Sequence, residues 1–395
     1  MQYKIKLAIS GMIILGVILS SNSYRDFSFY LLGLNDPTNR STNNLQSNNA
    51  DSLSIGFFPN LNHAQAIIGI GNGDFNEKLN REVNRSNFSI ITNAFPSEYS
   101  ILEALYDNTI DVAYVNPNTI IEGYILLGDQ EFKIISGVSS GGTSFVVRND
   151  SAIESVNDLG GKKFASPQLG STQDVALRKY LVDNGFNTVE NGGNLSIVAL
   201  KPADIISQFG NKEIDGAWVP EPVTTILLQE LNGKILVDER DLWPDGKFVT
   251  GNIIVRTDYL RENPDVIKKL LEAHIDETIW INERLTKTNN SDTDGKNIST
   301  LVSAFNSGLE NITGKTYPPS QLEEALSRIA FTNNPLLDSL LKIVNDAIES
   351  NIIELGYDWR ETFSKLYDLT ILTEILDEKD RGNTLESSSQ YQPNL

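Results

Sequence analysis

A loop of small polar residues joins a strand-like segment to a helix-forming segment in "FASPQLGSTQDVALRKYL", residues 164–181. Gly170, Ser171 and Thr172 stand where that helix should begin, and the first N–H groups of a helix have no partners within it. Such a helix start binds anions. The loop has no lysine of the kind found in phosphate-binding loops, so it predicts reversible capture of an anion by N–H and hydroxyl groups. If Ser171 caps the helix, Asp174 completes a capping box.

Three earlier loops also place small and polar residues at predicted strand-to-helix junctions. In open α/β sheets such junctions lie together outside the carboxyl ends of the strands, where ligands bind. Helix capping explains any one of these loops by itself, whereas all of them at one end of the sheets favour a shared cleft. Their candidate ligand-binding residues are Pro59, Asn60, Asn62 and His63 in the first loop, Ser97 in the second, beside Glu98, and Asn116 and Asn118 in the third.

Three residues have more than one interpretation, and the sequence leaves these open. His63 is either a ligand contact or a residue that caps a helix. Trp218, in "AWVPEP", either stacks on a ligand or fills the core of a lobe. Glu221 lies between Pro220 and Pro222. It contacts a cationic ligand group, contacts a partner protein or stands in a solvated turn.

Metal and enzyme chemistry have little support in the residue types. The chain has no cysteine and only two histidines, His63 and His274, far apart in sequence. Residues 290–301 have calcium-loop spacing, but Leu301 occupies the twelfth position, where a bidentate glutamate is needed. The glycines of "GIGNGDF", residues 69–75, follow a helix-like segment and predict a helix C-terminal turn, not a dinucleotide-binding loop. No nucleophile, zinc-protease or phosphate-loop motif occurs, so we expect no enzyme activity, no cofactor and no metal.

Charge and the terminal segments lead us to expect an exported protein. The 395 residues include 52 acidic and 32 basic side chains, and the formal net charge of -20 argues against nucleic acid and anionic membrane surfaces as partners. Residues 1–23 have the lysines, apolar stretch and small polar run of a signal peptide, or of an N-terminal anchor if they are retained. Residues 24–52 predict a disordered linker, and residues 381–395 a disordered tail.

The body of the chain alternates strand-like and helix-like segments. Short runs such as "LSIGFF" and "DVAYV" have the β-branched and aromatic residues typical of strands. The intervening "PSEYSILEALYDN" places Ile101, Leu102 and Leu105 on one helical face. The same alternation recurs over residues 162–256, and helical apolar spacing follows Pro264. This order predicts the α/β class, with two α/β lobes of largely parallel sheet and a helical C-terminal part.

Several segments of this body, in order and at matching spacing, resemble the substrate-binding proteins of sulfonate/nitrate/taurine-type ABC importers. They are "IGFFPNLNHAQAIIG", "PSEYSILEALYDNTIDVAYVNPN", the stretch from "ISGVSSGGTSFVVR" to "LGSTQDVALRKYL", "IDGAWVPEP", "LVDERDLWPDGKFVTGNIIVR" and "LYDLTILTEIL". The resemblance covers most of residues 51–378. It implies a type II periplasmic-binding-protein fold, in which two lobes joined by crossing strands near residues 139–145 and 248–253 close on a ligand.

The resemblance also implies lobe limits, a function and further site residues. Lobe 1 comprises residues 53–142, lobe 2 comprises residues 143–249, and residues 250–380 return to lobe 1 and add the C-terminal helices. The implied function is an extracytoplasmic, monomeric receptor that delivers a small anionic or zwitterionic solute (alkanesulfonate, taurine or nitrate class) to an ABC permease with its ATPase subunits. Carried over by position, the ligand-binding residues are Pro59, Asn60, Asn62, His63, Ser97, Asn116, Asn118, Ser140, Gly141, Gly170, Ser171, Thr172, Gln173, Trp218 and Glu221.

Two departures from the family pattern concern the anchor and the pocket. The lipid-anchoring cysteine of bacterial relatives is absent, so retention at the outer face of the cytoplasmic membrane would depend on the N-terminal segment, a glycan or a partner. Phe95 and Asn116 stand where relatives usually have glycine, and these bulkier residues would reshape the pocket. Within the same fold, the alternative ligand is a thiamine-type pyrimidine precursor stacked on Trp218. The alternative of another class is a pyrimidine-synthesising enzyme that uses His63.

Overall fold

The structure, a computed structural model, describes residues 52–83, 88–286 and 297–389. The predicted signal peptide or anchor, the linker as far as residue 51 and most of the calcium-type loop lie outside these residues. Within them, no helix is long and apolar enough to cross a membrane. The described ranges also contain no group of three or more histidine, aspartate or glutamate side chains that could hold a metal ion.

A six-stranded mixed sheet is the frame of the first lobe. Its strands are β1 (Ser52–Phe57), β2 (Ser89–Ala94), β3 (Val112–Val115), β4 (Phe132–Gly141), β10 (Val249–Arg256) and β11 (Ile329–Phe331). They stand in the order β11, β4, β10, β3, β1, β2. Strand β1 runs parallel to both β2 and β3, whereas β10 runs antiparallel to β3 and β4. The carboxyl ends of β1, β2 and β3 therefore share one edge of this sheet.

A five-stranded sheet is the frame of the second lobe. Its strands are β5 (Thr143–Arg148), β6 (Lys163–Ser166), β7 (Ser196–Ala199), β8 (Gly216–Pro220) and β9 (Gly233–Asp238). Their order is β7, β6, β8, β5, β9. Strand β6 pairs in parallel with β7 and β8, and β5 pairs antiparallel with β8 and β9. Both sheets are thus mixed, with a parallel part that holds the strand-to-helix loops.

Helices follow the parallel strands and then dominate the C-terminal part. The first lobe has α1 (Ala64–Gly71), α2 (Asp74–Glu82), α3 (Glu98–Tyr106) and α4 (Pro117–Leu127). The second lobe has α5 (Thr172–Asp183), α6 (Pro202–Gly210) and α7 (Val223–Glu230). Beyond β10 come α8 (Thr257–Glu262), α9 (Pro264–Leu285), α10 (Ile298–Thr313), α11 (Pro319–Ser327), α12 (Leu337–Glu349), α13 (Trp359–Ser364) and α14 (Thr370–Ser389).

The chain passes between the sheets at two places. It leaves the first sheet at Gly141 and enters the second at Thr143, then leaves the second sheet at Asp238 and returns to the first at Val249. Among the C-terminal helices, α9 contacts α1 and α2 of the first lobe, whereas α11 and α12 contact α7 and α5 of the second. Ser52, which the sequence interpretation assigned to the linker, is already part of β1.

The apolar pattern of α9 shows how the C-terminal helices are held. Val266, Ile267, Leu270, Leu271 and Ile275 are completely buried against the sheet of the first lobe. These positions form one face of a helix with 3.6 residues per turn. Ile279 of the same helix is 46 % exposed because it lies beyond that face.

Two local expectations have different outcomes. The glycine-rich stretch "GIGNGDF" is a helix C-terminal turn, as predicted, because α1 ends at Gly71 and Gly73 has a φ of 91°. The disordered tail predicted from residue 381 is wrong for its first residues, since α14 continues to Ser389. Residues 381–389 contain no proline, and helical backbone hydrogen bonds do not require apolar residues.

Candidate ligand-binding site

The parallel register of the first lobe brings three of the predicted loops together. Phe57, the last residue of β1, lies beside Ala94 of β2 and Tyr114 of β3. The residues that follow these strands therefore emerge from one edge of the sheet within a few positions of each other. This edge, with residues 58–63, 95–98 and 116–119, is called the strand-end site below.

His63 is the most buried polar residue of the strand-end site. Its side chain is completely buried, and its Nδ1 donates to the carbonyl oxygen of Phe58 at 2.9 Å. Burial lowers the pKa of His63 to about 4, although the carbonyl groups of Phe58 and Val115 act in the opposite direction. The imidazole is therefore neutral near pH 7. Its Nε2 is buried without a hydrogen-bond partner, and its side chain caps no helix, so the capping interpretation is not supported.

Glu98 is a site residue that the sequence interpretation noticed but did not select. Its Oε2 accepts hydrogen bonds from the N–H of Asn116 at 3.3 Å and the hydroxyl of Thr119 at 2.9 Å. The carboxyl group thus covers the N-terminus of α4, where a ligand anion was expected. Its Oε1 is buried and has no partner. Burial raises the pKa of Glu98 to about 7. The signal for it was an acidic residue immediately after the cap residue Ser97.

Some side-chain amides of the strand-end site have hydrogen-bond partners, and others have buried atoms without one. Asn118 donates to Glu122 at 2.8 Å, within α4, and burial raises the pKa of Glu122 to about 7. In contrast, Oδ1 of Asn60 and Oδ1 of Asn116 are buried without partners. Of the predicted residues here, Asn60, His63 and Asn116 have free polar atoms. Pro59 and Asn62 lie in the same loop as Asn60. The Asn118 amide donates to Glu122 within its own helix, α4.

Ser97 also acts locally, as the N-cap of α3. Its hydroxyl oxygen accepts a hydrogen bond from the N–H of Ser100 at 3.2 Å, and the two hydroxyl groups are 2.7 Å apart. An N-cap of this kind stabilises a helix by about 1 kcal/mol. For Ser97 the structure therefore supplies the capping role that was the alternative interpretation.

The helix start in the second lobe is largely satisfied by its own side chains. Ser171 is the N-cap of α5, and its Oγ accepts from the N–H of Asp174 at 3.3 Å. The expected reciprocal bond is displaced by one residue, because Asp174 accepts from the N–H of Gly170 at 3.0 Å and not from Ser171. Asp174 is fully buried and also accepts from Ser166 and Arg178. The N–H of Gly170 therefore already donates a hydrogen bond to a carboxyl group of the protein.

Thr172 and Gln173 are the remaining residues of the loop predicted to bind an anion. They are the first two residues of α5 and are partly exposed. N–H groups in a first helical turn have no acceptor within the helix. Gly170 has a φ of 75°, and a Cβ added there would lie 3.2 Å from Cγ2 of Ile352, in the segment after α12. The helix start thus lies against the C-terminal part of the chain.

Trp218 belongs to the core of the second lobe and not to a ligand surface. Its side chain is completely buried, and its ring stacks on Phe145 with centroids 5.4 Å apart. Its Nε1 donates to Oε2 of Glu239 at 2.7 Å. Burial raises the pKa of Glu239 to about 7. The prediction that Trp218 contacts ligand is corrected, because an indole surrounded by core side chains has no face left for stacking.

Glu221 has a cation from the chain itself. Its Oε1 accepts from Nη1 of Arg328 at 2.8 Å, and its Oε2 accepts from the N–H of Thr225 at 3.1 Å. The Glu221 side chain is completely buried, and burial raises its pKa. Because Arg328 precedes β11, this ion pair joins the two lobes. The expected contact with a cationic ligand or a partner protein is corrected to an interlobe ion pair.

Ser140 and Gly141 lie where the chain crosses between the lobes. Oγ of Ser140 accepts from the N–H of Phe248 at 3.1 Å, which connects the two crossing segments. Gly141 has a φ of 83°, and a Cβ there would lie 2.9 Å from the carbonyl oxygen of Arg328. Both residues therefore shape the crossing between the lobes, and their contact with a ligand stays a prediction.

The two lobes have the fold of periplasmic binding proteins. The alkanesulfonate-binding protein SsuA from Xanthomonas axonopodis pv. citri, solved with bound MOPS, has a TM-score of 0.60 and 16% identity, covering 82% of this chain and 100% of that one. The nitrate-binding protein NrtA from Synechocystis PCC 6803 has a TM-score of 0.60 and 15% identity, covering 82% and 88%. The periplasmic-binding-protein fold expected from the sequence is confirmed.

The chain belongs to the NMT1-like family, whose sequence model matches residues 46–293. A protein of Brucella abortus named as a binding protein is 25% identical over 215 residues, covering 51% of this chain and 64% of that protein, less than two thirds of its length. The taurine-binding periplasmic protein of Escherichia coli is 27% identical over 182 residues (46% and 54%), and an aliphatic sulfonates-binding protein of Bacillus subtilis is 25% identical over 285 residues (71% and 76%). These relatives confirm the resemblance described above.

Proposed function

We propose that this protein is the extracytoplasmic solute-binding component of an ABC importer. It captures a small anionic or zwitterionic solute of the alkanesulfonate, taurine or nitrate class by closure of its lobes and delivers it to the permease. The observation that carries this proposal is the group of unpartnered, buried polar atoms at the strand-end site, on Asn60, His63, Glu98 and Asn116. Buried polar atoms normally have partners, so these atoms are available to a ligand.

Helix starts provide the anion-binding part of the site. The loop of Asn60 to His63 begins the helical turn before α1, and Thr172 and Gln173 begin α5. N–H groups at such positions favour negative charge through hydrogen bonds and the helix dipole. The net charge of -20 does not oppose this local capture, since the field of distant surface charges is screened beyond about 8 Å at physiological salt.

A receptor accounts for the site better than an enzyme does. His63 is neutral, and its Nδ1 bonds to a backbone carbonyl group, so no carboxylate orients it as a general base. The relatives are named for binding and not for a reaction. The pyrimidine receptor loses its stacking residue, because Trp218 is in the core. The partners under this proposal are an ABC permease and its ATPase, and the receptor is an exported monomer that requires no cofactor.

Calorimetric titration of the full chain tests this function. The panel contains nitrate, ethanesulfonate, taurine, β-alanine, propionate and a hydroxymethylpyrimidine. We expect saturable binding of at least one of the small acids or zwitterions, weakened about tenfold in Asn60→Ala, since a lost hydrogen bond to a charged ligand has that effect. The exposed Asn191 of the second lobe provides the control, and Asn191→Ala should bind as the parent does. Binding of the pyrimidine alone would indicate the other ligand class. No binding of any compound in the panel would refute the proposal.

A further inference from the structure

An anion at the strand-end site has to find hydrogen-bond donors without a cation, because the site contains no lysine and no arginine. His63 is no donor at neutral pH, since its Nδ1 proton faces the carbonyl oxygen of Phe58 at 2.9 Å and its free Nε2 can only accept. The amides of Asn60 and Asn116 can rotate and present their NH₂ groups. The remaining side chain with a free polar atom is Glu98.

The two carboxyl oxygens of Glu98 differ in their surroundings. The N–H of Asn116 and the hydroxyl of Thr119 both donate to Oε2, at 3.3 Å and 2.9 Å. A proton on this carboxyl group is therefore carried by Oε1, which is buried without a partner although the residue as a whole is half-buried. As a carboxylate oxygen, Oε1 would repel an anion at contact distance. As a hydroxyl group, it would donate to the anion.

The elements around Glu98 offer its carboxylate no counter-charge. Helix α3, which begins with Glu98, has its closest contacts with β1, β3 and α4. The other titratable side chains of α3 and of these three elements are Tyr99, Glu103 and Tyr106 on α3, Tyr114 on β3 and Glu122 on α4. None of these can be positively charged, and the neighbouring loop supplies only the neutral His63. An unpaired charge removed from water is costly, so the surroundings favour the protonated carboxyl group.

The balance of forces on Glu98 leads to the same result. Burial is the largest influence and raises its pKa to about 7. The hydrogen bonds from Thr119 and Asn116 act in the opposite direction, and the charge of Glu122 acts in the same direction as burial. A substantial fraction of the molecules therefore carries the proton at neutral pH.

We infer that Glu98 binds the acid group of the solute in its protonated form, with the hydroxyl on Oε1 as the donor. Capture of the anion is then coupled to uptake of one proton from water, which stays on Oε1 in the complex. This assignment rests on the proposed function and adds to it a residue that makes binding depend on pH. Because Glu98 is neutral below its pKa, the anion binds most tightly in acid and loses affinity as the pH rises through about 7.

Calorimetric titration of the full chain at pH 6 and pH 8 tests this coupling. The probes are nitrate, ethanesulfonate, taurine, β-alanine and propionate, whose acid groups remain ionised over this range. Amine buffers are used, because a sulfonate buffer would compete for the site. For a probe that binds, we expect a dissociation constant about tenfold larger at pH 8, since only the protonated fraction is competent. At pH 7, the heats in two buffers of different ionisation enthalpy should show uptake of about half a proton per solute.

A glutamine at position 98 imitates the protonated carboxyl group. In Glu98→Gln the amide oxygen can replace Oε2 as the acceptor, and the NH₂ group can replace the hydroxyl on Oε1. Its binding at pH 6 and pH 8 should therefore agree within about twofold. Glu277 on α9 is the matched control, because burial also raises its pKa to about 7 and its Oε1 is also unpartnered. Glu277→Gln should keep the tenfold difference, and His63→Gln should weaken binding equally at both pH values.

The possible results separate the inference from the proposed function. Saturable binding by the parent that is as tight at pH 8 as at pH 6 would overturn the inference alone. The pH dependence would belong to another group if Glu98→Gln retained it or His63→Gln lost it. Loss of binding in Glu98→Gln at an unchanged melting temperature would also overturn the inference. If that variant does not fold, the pH dependence and proton uptake of the parent decide. No binding of any of the five acids at either pH would overturn both proposals.

Discussion

The interlobe ion pair of Glu221 and Arg328 gives the sharpest test of how the lobes are held. The Glu221 carboxylate has no exposed surface, and the Arg328 side chain is 13% exposed. Arg328→Met keeps most of the side-chain volume and removes the charge. The carboxyl group is then left buried with only the N–H and hydroxyl of Thr225 as partners.

The size of the effect follows from that burial. Removing one partner of a buried ion pair generally lowers the free energy of unfolding by roughly 3–5 kcal/mol, because the other charge is left uncompensated. The pKa of Glu221 is already raised by burial, so this carboxyl group can escape part of the cost by taking up a proton. We therefore expect Arg328→Met to lower the free energy of unfolding by about 3 kcal/mol near pH 7, at the lower end of that range.

Urea denaturation of the full chain, followed by tryptophan fluorescence, measures this loss. The exposed pair of Lys268 and Glu374 is the control, and Lys268→Met should cost less than about 1 kcal/mol. In the double variant Glu221→Gln/Arg328→Met the loss should be smaller than the sum of the two single losses, because the pair is coupled. The reasoning fails if Arg328→Met costs no more than Lys268→Met, or if the two single losses add.

Three further predictions concern single side chains. His63→Gln should weaken solute binding about tenfold by calorimetry, whereas His274→Gln, equally buried but bonded through both nitrogens, should mainly lower the melting temperature. Burial raises the pKa of Glu239 to about 7 in the folded protein. The contribution of this group to the free energy of unfolding is therefore complete below its unfolded pKa and is lost as the pH rises toward 7. Between pH 5 and 8, the urea midpoint of Glu239→Gln should accordingly fall less than that of the parent. Gly170→Ala should lower the free energy of unfolding more than Gly185→Ala does. Both glycines have a positive φ (75° and 81°), which strains an alanine by about 1 kcal/mol, but only at Gly170 would the new Cβ also meet Ile352.

The alternation of strands and helices was legible in the sequence because it depends on local periodicity. The apolar spacing of α9 and the glycine turn after α1 are examples, since each follows from the chain geometry of a few residues. The strand-end site was likewise predictable in outline. Parallel strands place their carboxyl ends at one edge, so the loops containing Asn60, Ser97 and Asn116 had to be neighbours once β1, β2 and β3 were recognised.

What the sequence could not provide was the partner of each polar side chain. Ser171 was identified as a cap from its position, yet the acceptor for the N–H of Gly170 is Asp174, which depends on how the loop bends. Glu98 was noticed in its loop but not selected as a site residue, because its hydrogen bonds to the start of α4 join residues 18 and 21 positions apart.

The sequence by itself determined a two-lobed α/β chain of high negative charge with polar loops at strand ends, because periodicity and composition are properties of short segments. Only the tertiary structure decided that Trp218 fills a core and that Glu221 pairs with Arg328, 107 residues away. Those outcomes depend on which distant side chain reaches a buried polar or aromatic group. Burial makes that choice decisive, because a polar atom removed from water needs a partner from somewhere in the fold.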